Sequence, residues 1–188
     1  MGCRTANGYD INGFGQLKDG RGNICPVTII MPTLAMMAKE AAENSDFTIS
    51  LEAARVRSFM ALLDLKILEA KDMLIERFEW IASQSPDAAK FMYENGLMAG
   101  YVPEEGIRSA LKHGTLALGQ LGLAETLQIL IGEDHTTEKG MEIAMKITKK
   151  MTKTTRTALN ITPSSTARQS IIFSTVTLRA ISRLTIRI

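Results

Sequence analysis

The sequence predicts an α/β chain rich in helix, in which a short buried strand leads into a series of helices. Three observations carry that expectation. An apolar run, Cys25 to Met31, rich in β-branched residues from Val27 and marked by Pro26 and Pro32, has the pattern of a short buried strand. From Leu51 to Ser83 apolar residues recur every three or four positions, which only an amphipathic helix gathers onto one face. A second short run, Thr115 to Gly119, is followed at once by helical spacing. This strand-then-helices order suits a piece of an α/β barrel.

Each element has its own local signal. Residues 1–24 read as an irregular loop, because six of the chain's 14 glycines fall in the first 22 residues. Pro32 ends the first strand, and Thr33 can cap a helix reaching Glu43. Ser50 is the expected N-cap of the long helix, with Glu52 favourably placed in its first turn. Its stripe runs Val56, Phe59, Leu63, Ile67, Ala70, Leu74, Phe78, Ile81, while Leu62, Leu65 and Leu68 widen the arc and predict a second packing neighbour. Ser85-Pro86-Asp87 is a cap followed by proline at the first helical position, opening a short helix to Asn95 that Gly96 stops. Gly100 to Gly106 is a loop, and Leu121 to Ile131 a helix. A last helix is expected from Thr136 or Thr137 to about Lys150, with Met141, Ala144, Met145, Thr148 and Met151 on one face.

Composition narrows the class. With 188 residues, 45% of them hydrophobic and 22% charged, the chain can bury the core of one domain. No apolar stretch approaches the ~20 residues that span a bilayer, so no membrane partner is expected, and the first residues lack a signal-peptide layout. Met1-Gly2 opens like an N-myristoylation motif, but Ala6 stands where that motif requires Ser or Thr. Cys3 and Cys25 are the only cysteines, too few for a disulfide framework or a four-cysteine metal site. A reducing, cytoplasmic setting is expected. The net charge of +2 hides a division: nine of the 22 basic residues and none of the 20 acidic ones follow Glu142. After Met151 the chain also lacks glycine and is crowded with Thr and Ser, which marks residues 152–188 as an atypical basic tail on a main region of residues 1–151.

Three blocks point to chemistry. Gly2-Cys3-Arg4-Thr5 precedes Gly20-Arg21-Gly22-Asn23 and the strand that ends at Pro32. A third block, Gly119-Gln-Leu-Gly122-Leu123-Ala-Glu125, sits at a strand-to-helix turn where Gly122 leaves backbone N–H groups free to meet an anion. In content and order these blocks closely resemble the anaerobic, glycyl-radical ribonucleoside-triphosphate reductases, over residues 1 to about 150.

That resemblance implies a helix-rich fragment of the glycyl-radical-enzyme α/β barrel. It implies that Cys3 becomes the thiyl radical that removes the 3′-hydrogen of the substrate ribose. A thiol suits the step because its S–H bond is of similar strength to an activated ribose C–H bond. It also implies that Asn23 lies in the active site, where an amide can bond a ribose hydroxyl, and that Arg4, Gly119 and Gly122 border the substrate. On the residues alone, Asn23 reads equally as a turn asparagine, Arg21 as a phosphate ligand or, preferably, a helix cap, and Cys25 as a small buried residue. His113, Asp134 and His135 offer no third placed ligand for a metal, and Asp134 reads as a partner for the next helix dipole.

Further implications concern parts outside these motifs. The family is several times longer, with a glycyl radical on a later segment, formate as reductant, zinc-binding cysteines and ATP/dNTP effectors on a regulatory domain. A radical-SAM activating enzyme, a ribonucleoside triphosphate substrate and a homodimer are the implied partners, with no direct nucleic-acid contact. The family's Thr-Pro-Ala-Glu-Ser loop is echoed only by Thr162-Pro-Ser-Ser-Thr-Ala-Arg168, without the glutamate, and a translated frameshift is one reading of the tail. The expectation is therefore a catalytic-core fragment, inactive alone. Two rival readings are another glycyl-radical enzyme, such as a formate-lyase relative, and a non-enzymatic helical module whose basic tail contacts nucleic acid.

Overall fold

The computed structural model describes residues 23–44, 48–111, 114–160 and 172–177. Strand β1 (Val27–Ile30) leads into α1 (Met31–Glu43), followed by α2 (Leu51–Ala82), the short helix α3 (Lys90–Glu94) and α4 (Ile107–Ala110). Strand β2 (Thr115–Leu121), α5 (Leu123–Ile131), α6 (Glu138–Asn160) and β3 (Ile172–Thr177) complete the described chain. The strands lie in one sheet in the order β1-β2-β3. The described chain is thus helix-rich and compatible with an α/β class.

Local chemistry explains most element boundaries. The strand ends at Ile30, and Pro32 stands in the first turn of α1, where proline's missing N–H costs nothing. Thr33 is accordingly inside the helix, and no side chain caps it. At α2 the expected cap forms, with the Ala53 N–H donating to Ser50 Oγ at 3.3 Å. Ser85 Oγ likewise accepts from the Asp87 N–H at 3.2 Å, but Pro86–Ala89 makes a 3-10 turn before α3. Gly96 has φ +68°, the left-handed stop read from the sequence.

The chain divides into two compact units. The first is built on Asp72–Ala117 with residues 23–27. Its core includes Cys25, Leu74, Phe78, Ile107, Ala110, Leu116 and Ala117. Arg108 stacks over the Phe78 ring at 5.4 Å and pairs with Glu79, joining α4 to α2. Ser109 Oγ accepts the Val102 N–H at 2.8 Å and donates to the Gly106 carbonyl at 2.6 Å, closing the loop before α4.

The second unit is built on Thr28–Lys71 and Leu118–Ala158. Here α1 packs against α5, the former burying Leu34, Ala35, Ala38 and Ala42 and the latter Leu127 and Leu130. Helix α6 runs in the same direction as the first half of α2. Lys139 pairs with Glu52 at 2.7 Å, Lys150 with Asp64 at 2.6 Å, and Thr154 Oγ1 donates to Asp64 at 2.8 Å.

Three expectations are corrected. The buried face of α6 is Ile143, Ala144, Ile147, Met151 and Thr155, whereas Met145 is exposed, so the face is rotated toward the isoleucines. That helix also runs past Lys150 to Asn160, with Thr154 and Thr155 packed beyond the compositional change at Met151. On α2, Phe59 to Phe78 of the stripe are buried as expected, but Leu65 and Leu68 are exposed, so no second neighbour covers that arc among the described residues. The apolar residues Ile172 and Phe173 belong to β3.

Candidate functional site

Cys3, Arg4 and Arg21 lie outside the described residues. Asn23 does not: it is half-buried, in a β-bridge just before β1. Its two successors anchor it within the first unit. A Cβ on Gly114 would fall 2.3 Å from Ile24 Cδ1, so the bare glycine before β2 is what lets Ile24 pack there. Cys25 is buried, and its thiol donates to the Leu74 carbonyl of α2 at 3.8 Å. Burial pushes that thiol's pKa up, against a smaller opposing pull from the Arg77 guanidinium. A protonated, buried thiol is a poor nucleophile, which fits the reading of Cys25 as a packing residue. Gly114 follows His113 and stands five residues before the third block.

Gly119 and Gly122 belong to the second unit and are held by side chains of β1 and α1. A Cβ at Gly119 would stand 3.0 Å from Thr28 Oγ1. One at Gly122 would stand 2.5 Å from Pro32 Cγ and 2.7 Å from Pro32 Cδ. Gly122 has φ +79° and forms the N-cap of α5 with no side-chain cap bond, so first-turn N–H groups face outward. Its own carbonyl accepts both the Thr126 N–H at 3.0 Å and Thr126 Oγ1–H at 2.7 Å, which stiffens the turn. Glu125 lies in the first turn with Oε2 3.5 Å from the Gly122 Cβ position, where its charge complements the helix dipole. A phosphate at this turn would meet that carboxylate, whereas a sugar hydroxyl could donate to it.

Asp134 forms a turn before α6. It accepts the Thr136 N–H at 2.8 Å and the Thr136 hydroxyl, and these bonds hold its carboxyl below the usual carboxylate range. Among the described residues, no three His, Cys, Asp or Glu side chains are grouped as a metal site would require. No helix among them is long and apolar enough to cross a membrane.

The sequence model of the family described as anaerobic ribonucleoside-triphosphate reductase matches residues 1–164. The chain is similar to the anaerobic ribonucleoside-triphosphate reductase of Escherichia coli K12, 26% identical over 139 residues, which are 72% of this chain and 18% of that protein. The Salmonella typhimurium LT2 protein of the same name is 27% identical over 139 residues, with the same 72% and 18% coverage. That of Haemophilus influenzae Rd is 26% identical over 159 residues, 79% of this chain and 20% of the relative. The chain therefore spans about a fifth of the length of these relatives. The match takes in all three blocks, from the Cys3 loop to the Gly122 turn, and the chain belongs to the anaerobic ribonucleoside-triphosphate reductase family.

Proposed function

We propose that this chain is part of the catalytic barrel of an enzyme that reduces ribonucleoside triphosphates to deoxyribonucleoside triphosphates by thiyl-radical chemistry. The observation that carries the reading is the family match over residues 1–164, which takes in Cys3, Asn23 and the Gly119–Gly122 turn in one stretch. Cys3 is the hydrogen-transferring residue. With its thiol hydrogen withdrawn, the sulfur takes the 3′-hydrogen of the ribose, forming an S–H bond as the C–H bond breaks and leaving a carbon radical on the sugar. Asn23 hydrogen-bonds a ribose hydroxyl through its amide. Arg4 supplies positive charge for the substrate, and the turn at Gly119 and Gly122 borders the sugar, where Glu125 favours hydroxyl over phosphate.

The remaining chemistry comes from outside these residues. The glycyl radical sits on a segment not in this chain and supplies the initial one-electron oxidation. Formate is the reductant, a radical-SAM enzyme the activating partner, and the active form a cytoplasmic homodimer. ATP and dNTP effectors and zinc belong to other regions of the family. We place the barrel part at residues 1–151, with α6 continuing it, and the atypical tail after it. In a full-length reductase carrying this segment, Cys3→Ala abolishes deoxynucleotide formation while the glycyl radical still forms on activation. Retained turnover in that variant refutes the assignment.

A further inference from the structure

We propose that Pro32 is a positioning residue for the Gly119–Gly122 turn, an inference that rests on the reading of that turn as a border of the substrate. The geometry is specific. Pro32 Cγ and Cδ lie 2.5 Å and 2.7 Å from where a Gly122 Cβ would be, so the ring fills the volume that any other residue's side chain needs. A proline ring is fixed to the backbone at both ends and cannot swing aside as a longer side chain can. Thr28, four residues earlier, meets the bare face of Gly119 in the same way, with Oγ1 at 3.0 Å and Cβ and Cγ2 at 3.7 Å. Strand β1 and the start of α1 thus press on the turn at two points, one at each glycine.

The pressure is backed from behind. Pro32 belongs to the first turn of α1, whose buried face packs against α5, the helix that Gly122 begins. The left-handed φ of +79° at Gly122 is therefore set between a rigid ring and a buried helix. Because the first-turn N–H groups of α5 follow Gly122 directly, any displacement of Gly122 moves those donors and Glu125 with them. Misplacement of binding groups by about an ångström costs on the order of a hundredfold in a reaction that depends on orientation. The proline acts through the glycine, without touching substrate.

The test uses a full-length reductase carrying this segment as wild type, Pro32→Ala, Gly122→Ala and the double variant. Each of the four common ribonucleoside triphosphates is titrated in turn, with binding read from the amide signals of Gly122 and Leu123, and urea unfolding is followed in parallel. The expected result is binding by the wild type, roughly tenfold weaker binding by Gly122→Ala, and recovery of part of that loss when Pro32→Ala returns the missing space, the left-handed φ of +79° still straining an alanine there. Pro32→Ala alone weakens binding while its unfolding midpoint stays near that of the wild type. Equal weakening in Gly122→Ala and the double variant overturns the proposal. So does a Pro32→Ala variant that loses stability but binds as the wild type does, the mark of a merely structural proline. Failure of the wild type to bind any triphosphate instead refutes the placement of substrate at the turn. In that case the unfolding midpoints alone still tell whether Pro32 and Gly122 compete for space.

Discussion

Truncating the buried stripe of α2 tests the packing in both units. Leu63 in the second unit and Leu74 in the first are each 0% exposed, whereas Leu65 on the same helix is 64% exposed. Leucine to alanine removes three carbons, a transfer loss of about 2.4 kcal/mol at ~0.8 kcal/mol per methylene. The cavity left in a core that relaxes only in part raises the expected cost to about 2–5 kcal/mol for Leu63→Ala or Leu74→Ala. At Leu65 most of the side chain already meets water, so the transfer loss falls to about 1 kcal/mol or less, with no cavity to add. Urea unfolding followed by circular dichroism measures the difference. The buried truncations should lower the midpoint by on the order of 1–2 M at an unchanged slope, and Leu65→Ala should barely move it. Equal shifts at positions 63 and 65 would refute the buried face described here, and a changed slope would point to an altered unfolded state instead.

Other expectations follow from single contacts. Lys66 and Glu69 form a solvent-exposed pair, so Lys66→Ala should change stability by no more than about 0.5 kcal/mol in the same assay. Ile147→Ala should cost about 2–5 kcal/mol because Ile147 is fully buried, whereas Met145→Ala should be nearly silent. The Cys25 thiol has its pKa raised by burial above the ordinary 9.0. The folded state therefore keeps a proton that the unfolded state loses, so this contribution is intact below the unfolded value and is lost as pH rises through the folded one. Unfolding midpoints measured from about pH 8 to 10 should decline less steeply in Cys25→Ala, and an unaltered decline would show that the thiol is not held in a dry site. Asp134→Ala should raise amide exchange at Thr136 by removing its acceptor, without a change at the Gly122 turn.

Much of the fold was legible because it is encoded by neighbours in sequence. Spacing of three and four puts Phe59, Leu63, Ile67, Leu74 and Phe78 on one face of any helix, whatever that face meets. The caps at Ser50 and Ser85 and the stop at Gly96 are equally local, since each group reaches only two or three residues along the chain. The blocks around Cys3, Asn23 and Gly122 were sufficient to point to the family, because their residue types and order are properties of the sequence itself. Contacts between distant segments decided the rest. Periodicity on α6 allowed more than one face, and only packing in the second unit selected Ile143 and Ile147 over Met145. Spacing sets Leu63 on the stripe and Leu65 beside it, but whether that flank is covered depends on what approaches it. Likewise the sequence marks Gly119, Gly122 and Gly114 only as glycines. That each is bare because Thr28, Pro32 or Ile24 takes its side-chain space is a fact of tertiary structure, where residues far apart along the chain compete for the same few cubic ångströms.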